Sequence, residues 1–234
     1  MKFSQKMAVA AVILIIVTAG LSLYAFDVAK TGIRESTRNE LRSVAGVMAT
    51  QIDAGDLKDI SAGDEFSAKY IAVVKKLRTM RSMNDRVTNA YIVRVDSHQN
   101  ITFVVDDLFL DDPAGSARIG EAYDSPDRME IFGALSLPTA SQNPYTDKWG
   151  TFMSGYAPVD DSVSGSSGNT TAVLGVDMDA SIYRDWVFTA GMYILLAALI
   201  SMALTVGVLW IVSRKVECFF SPNTESGPGK WEKD

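Results

Sequence analysis

The sequence predicts an α+β domain carried between two membrane-spanning helices. Three observations predict it: two long uncharged runs toward the ends of the chain, a hydrophobic period of about 3.6 residues early in the intervening region, and a change to a period of about 2 later in it. Helices leading into antiparallel strands, rather than alternating with them, make an α+β domain.

The first uncharged run covers residues 7–26 (MAVAAVILIIVTAGLSLYAF). About 20 helical residues at ~1.5 Å rise cross the ~30 Å hydrocarbon core of a bilayer. The second run, residues 187–212 (VFTAGMYILLAALISMALTVGVLWIV), is long enough to span with some tilt. Lys2 and Lys6 precede the first run, and Arg214 and Lys215 follow the second. The positive-inside tendency therefore places residues 1–6 and 213–234 in the cytoplasm and residues 27–186 outside. The competing reading of the first run is a cleaved signal peptide. Its apolar core is longer than the usual ~7–15 residues, and no small-x-small site precedes the bulky Phe26, so an anchor is expected. The expected location is the cell membrane, crossed twice.

Residues 27–186 are an ordinary size for one globular domain. They contain no cysteine, so disulfides cannot staple it; Cys218, the only one, falls on the expected cytoplasmic side and stays reduced. The chain has a net charge of −6, and residues 100–185 carry 14 acidic against 4 basic side chains. An acidic outer surface excludes a nucleic-acid footprint, which must be basic.

After the first run the helical pattern continues to about Asp53, with Leu41, Val44, Met48 and Ile52 on one stripe. Glycines 55 and 63 mark a break. A second amphipathic helix is expected over 64–83, its stripe being Phe66, Tyr70, Val73, Val74, Leu77 and Met80. The strands AYIVRVD (90–96) and ITFVVDD (101–107) flank a turn, SHQN, and read as a hairpin. DRMEIFGAL (127–135) reads as a short helix. Strands are expected over 151–159 and 171–179, joined by the Ser/Gly-rich turn 160–169. Two N-x-T triplets, at Asn100 and Asn169, fall in expected outward turns.

This order, with YIVRVDSHQNITFVVDD, IGEAYD, PYTDKWGTFMSGYAPV and AVLGVDMDAS, resembles the extracytoplasmic Cache (PAS-like) sensor domains of prokaryotic histidine kinases, chemoreceptors and diguanylate cyclases. The resemblance covers residues 27–185. It implies a single domain with a long N-terminal helix and a central antiparallel sheet, binding a small molecule on one face under a cover. Such receptors continue into a transmitter, whereas here residues 213–234 read as a short tail. The expected role is thus a sensor without its own output domain. The alternative is an interaction module docking on a full-length receptor.

No enzyme signature appears. The only histidine, His98, sits in a turn, and Ser154 in FMSGY lacks the first glycine of a nucleophile elbow. The acid pairs Asp106-Asp107 and Asp111-Asp112 lack the ordered spacing of an EF-hand loop. No catalytic residue, metal or cofactor is expected. Binding residues are expected around the last strand, where alternation puts Ala172, Leu174, Val176 and Met178 on one face and Val173, Gly175, Asp177 and Asp179 on the other. Gly175 leaves a gap for close approach, and Asp177 beside it can pair with a cation. Tyr145, Trp149 and Tyr156 supply rings with polar tips, which suit small-ligand pockets. Tyr91 and Asp106 on the first hairpin join the set by the same argument. Each ring has packing as its competing role, and Asp177 a bond to neighbouring backbone. The expected ligand is an amino acid, an amine or a carboxylate. The other expected partners are the membrane and either a second copy of the chain or a receptor.

Overall fold

In the computed structural model the described residues are 3–159 and 172–220. They form α1 (Phe3–Ala49), α2 (Ala54–Lys58), α3 (Ala68–Arg81), β1 (Asn89–Val95), β2 (Ile101–Asp106), α4 (Arg128–Gly133), β3 (Thr139–Ala140), β4 (Tyr145–Thr146), β5 (Thr151–Pro158), β6 (Ala172–Asp179) and α5 (Ala180–Phe220). The chain divides into two units. Lys30–Phe188 carries the sheet, and the helical segments before and after it make the other. Two helical stretches are long and apolar enough to cross a membrane, Gln5–Ala49 and Ala180–Val216, which fits a two-pass membrane protein.

The sheet is antiparallel with order β2-β1-β6-β5-β3, and β4 adds to β5. The expected α+β class therefore holds. β6 lies at the centre and is buried on both faces, which suits its nearly unbroken apolar sequence. One face carries the larger core. Ala172, Leu174, Val176 and Met178 of β6 pack there with Met153 of β5, with Leu41, Ala45 and Met48 of α1, and with Tyr70, Val74 and Leu77 of α3. α1 approaches this face closely because of one residue. A Cβ at Gly155 would stand 2.2 Å from the Leu41 carbonyl oxygen, so only glycine lets helix backbone rest on strand backbone.

The second helix departs from expectation. α3 starts at Ala68 because Ser67 caps it, its Oγ accepting the Tyr70 N–H at 3.1 Å. Phe66 therefore lies outside the helix, 82% exposed, and meets the Phe109 ring edge-on at a centroid distance of 5.5 Å. The rest of the stripe is buried or packed against the core. Asp106 and Asp107, adjacent on an extended chain, serve opposite faces. Asp107 is buried toward α3, where it pairs with Arg81 and accepts the Ala90 N–H at 2.9 Å. Asn100 is exposed in its turn; the 160–169 turn and Asn169 lie outside the described residues.

Candidate ligand-binding face

The other face of the sheet bears a smaller core of different composition. Tyr91, Val93 and Val95 of β1, Ile101 and Phe103 of β2, Tyr156 of β5 and Val173 of β6 meet Tyr123, Ile131 and Ala134 of the covering segment, with Trp149 at its margin. Register brings the polar residues together. Tyr91 pairs across with Gly175, and Gly175 with Tyr156; Asn89 pairs with Asp177, and Asp177 with Ser154. Cross-strand partners share a face, so all of these lie on one side of β1, β6 and β5.

Asp177 is the centre of the group and only 4% exposed. Ser154 Oγ donates to its Oδ1 at 2.6 Å and Tyr91 OH to the same oxygen at 3.2 Å. Beyond them, Tyr145 OH is 2.8 Å from Ser154 Oγ and 3.2 Å from Tyr156 OH. Tyr156 OH donates to Asp127 Oδ2 at 3.3 Å, and the Ser141 hydroxyl bonds to the same carboxylate oxygen. Tyr123 OH lies 3.4 Å from Tyr145 OH and donates to Asp147 Oδ2 at 3.1 Å. The result is a continuous polar network inside an aromatic box. Phe103 and Tyr123 are 4.8 Å apart between centroids, and Trp149 stands edge-on to both at 5.2 and 5.8 Å.

Burial dominates the electrostatics. It pushes the Asp177 carboxyl up to about 8, opposed by the Ser154 hydrogen bond and reinforced by the charge of Asp147. Burial likewise lifts Asp127 to about 6, against the Ser141 hydroxyl. The same cause holds the phenols of Tyr91, Tyr145 and Tyr156 well above their ordinary range.

Of the residues named from sequence, Tyr91, Tyr145, Tyr156 and Asp177 join directly, and Trp149 closes the margin. The Trp149 Nε1–H donates to the Gly115 carbonyl at 2.9 Å, and Lys148 Nζ sits 4.1 Å from the centre of its ring while pairing with Glu121. One ring face thus already holds the chain's own cation. Asp106 stands apart in role. Its two oxygens accept the Leu108 and Ala117 N–H groups at 3.0 and 2.8 Å, which ties the cover to the end of β2. Burial raises it to about 6. The gap expected at Gly175 is filled: a Cβ there would lie 2.5 Å from Tyr91 Cζ, so the tyrosine ring occupies the place left for a ligand. His98 is exposed, its Nδ1 3.5 Å from Ser97 Oγ.

Sequence reasoning missed Phe103, Tyr123, Asp127, Ser141, Asp147 and Ser154 as members. Asp127 gave one usable signal. It sits at the start of α4, where an aspartate normally caps, yet its side chain makes no cap hydrogen bond and turns to Ser141 and Tyr156 instead.

No protein-family model matches the chain, and no curated protein matches it. Among solved structures, it is similar to the sensor domain of DcuS from E. coli, with 12% identity and a TM-score of 0.44 over 66% of this chain and 97% of the other. It is also similar to the periplasmic domain of RsbU from Chlamydia trachomatis, with 13% identity and a TM-score of 0.34 over 64% of this chain and 54% of that one. A third likeness is to methyl-accepting chemotaxis protein X, with 14% identity and a TM-score of 0.37 over 70% and 66% of the two chains.

Proposed function

We propose that this protein is a membrane-anchored extracytoplasmic sensor, without enzymatic activity, that binds a small polar metabolite on the Tyr91–Tyr156–Asp177 face. Residues 7–26 and 187–212 are its transmembrane helices, residues 27–186 its sensor domain outside the cell, and residues 1–6 and 213–234 its cytoplasmic ends. The observation that carries the reading is Asp177, a buried carboxylate ringed by hydroxyls inside an aromatic box. Packing alone favours an apolar residue at such a position, because a buried polar group must be matched to avoid a penalty of ~1–3 kcal/mol.

Binding requires rearrangement, since the Tyr91 ring covers Gly175. The movable parts are Tyr91 and the cover held by Trp149 and Gly115. Two connections lead outward from the network. The Ser141 carbonyl accepts the Nε–H of Arg38, on α1, at 3.1 Å. β6 passes without a loop into α5, whose first residue, Ala180, follows Asp177 by three positions. A ligand that shifts Tyr156 and Asp127 moves Ser141, and one that engages Asp177 acts on β6. Either can bias two states only through unequal affinity for them.

The test is thermal stabilisation of the full chain in nanodiscs by a panel of amino acids, amines and carboxylates. Stabilisation by a panel member, lost when the face is mutated, is the expected result; a flat response to the whole panel refutes the sensor reading. A second reading, an interaction module that docks on a receptor, draws on the apolar groove of about 760 Å³ between α1 and α3, where Val47 is 66% and Met83 79% exposed. Crosslinking in membranes separates it, because docking demands a partner band that persists without ligand.

A further inference from the structure

The chemistry of the face narrows the ligand further, on the condition that it is a ligand site at all. Its charged groups are all carboxylates, and its other polar side chains are neutral hydroxyls. Asp177 and Asp127 are both buried, and among the described residues neither pairs with a lysine, arginine or histidine. The cations nearby in sequence are committed elsewhere: Lys148 to Glu121 and the Trp149 ring, Arg128 to the Gln99 carbonyl and the Phe132 ring, Arg38 to the Ser141 carbonyl. A second observation is independent of the carboxylates. Asn89, directly across from Asp177 in register, carries a buried side-chain Oδ1 that has no hydrogen-bond partner among the described residues. Buried side-chain acceptors are satisfied in the large majority of cases, and an exception asks for an explanation.

We infer that the ligand is a small primary amine bound as its ammonium cation, with Asp177 as charge partner and Asn89 Oδ1 as a second acceptor. An ammonium offers three N–H donors and no acceptor, which complements this pair of neighbours. Tyr91, Phe103 and Tyr123 belong to the core of the same sheet face, and aromatic rings attract a cation. A dicarboxylate finds no cation here and meets buried carboxylates instead. A zwitterionic amino acid brings a carboxylate with the same difficulty. A quaternary ammonium suits the rings but gives Asn89 and Asp177 no N–H.

The experiment measures melting temperature and affinity of the full chain in nanodiscs with ethylamine, ethanolamine, 1,4-diaminobutane, tetramethylammonium, alanine and succinate. At least one primary amine stabilises the wild type, while tetramethylammonium, alanine and succinate do not. Removing the charge in Asp177→Asn weakens amine binding about thirtyfold or more, and Asn89→Ala weakens it about fivefold to tenfold. If Asp177→Asn does not fold, Asn89→Ala carries the test, because the Asn89 side-chain oxygen has no hydrogen-bond partner among the described residues to lose. Stabilisation by succinate or alanine without any amine overturns the amine assignment and leaves the sensor reading standing. Equal stabilisation by tetramethylammonium overturns the donor-based contact, as does unchanged amine affinity in Asn89→Ala. Silence of every compound removes the sensor reading itself.

Discussion

The Asp177 carboxyl makes the stability of the unliganded domain depend on pH, with a sign and window that can be worked out. Its folded value, near 8, lies far above the ordinary ~3.9 of an unfolded aspartate. The folded state therefore holds a proton that the unfolded state gives up. The associated stability is fully present below about pH 4 and is lost as pH rises through about 8. Between those limits the loss approaches one proton, ~1.4 kcal/mol per pH unit, so pH 5 to pH 7 takes away at most ~2–3 kcal/mol. For a domain of this size ~1 kcal/mol moves the melting temperature by ~2–4 °C, giving a fall of ~5–10 °C. Asp177→Asn keeps the shape and removes the titration. Wild type and variant should then match near pH 4 and separate as pH rises, with the variant melting higher at pH 7.5. Asp106 and Asp127, raised to about 6, titrate in both proteins at the lower end of the window, so the difference between the two curves isolates Asp177. Differential scanning fluorimetry of the full chain across pH 4–8 makes the comparison. Parallel curves, or a variant that is the less stable one at pH 7.5, would refute the claim that burial keeps Asp177 neutral.

Three further outcomes follow from particular contacts. Gly155→Ala forces a Cβ against the Leu41 carbonyl and should lower stability by ~1–3 kcal/mol or more, whereas Gly46→Ala meets Pro138 Cγ at an ordinary 3.6 Å and should raise it by up to ~1 kcal/mol; thermal melts of the pair check both signs. Arg38→Ala cuts the bond to the Ser141 carbonyl and should leave ligand affinity within about threefold while abolishing the ligand-induced change in hydrogen exchange along residues 34–45; an unchanged exchange response removes Arg38 from the path. A reporter fused after Asp234 should be active in the cytoplasm, with external protease digesting only the 27–186 region, and an external C-terminus would overturn the proposed orientation.

The fold was legible where a period ran long enough to be read. The stripe of α1 and the alternation of β6 each placed their residues on the correct face, since a single wrong register would have exposed Leu174 and Met178. Phe66 was misplaced because its spacing to Tyr70 fits the stripe, while Ser67, an N-cap, starts the helix between them. That choice depends on which of two local hydrogen-bonding signals wins, and the apolar spacing alone does not show it. The site was half legible. Gly175 beside Asp177 pointed to the strand at the centre of the candidate site, but Tyr91 fills the space over Gly175 through cross-strand pairing, which no local pattern reveals. Phe103, Tyr123 and Asp127 come from three separate segments and meet only through the sheet and its cover.

The two faces of the sheet suggest why the chain keeps so polar a cluster in its interior. The face under α1 and α3 is built largely from aliphatic packing and holds the domain together. The opposite face carries Asp177, Asp127 and four tyrosines whose burial works against ionisation. Replacing such buried polar groups by apolar ones of similar volume is often neutral or stabilising, so stability alone gives no reason for them. A binding role does give one. In the closed arrangement Asp177 is poorly solvated and held by two hydroxyls on one oxygen. A cation entering beside it would let the carboxylate ionise with a partner, an interaction the closed state lacks. That difference in affinity between two arrangements is what a ligand needs in order to shift a conformational equilibrium. Because Asp177 lies on the strand that becomes α5, the shift would begin at the element leading toward the membrane helix.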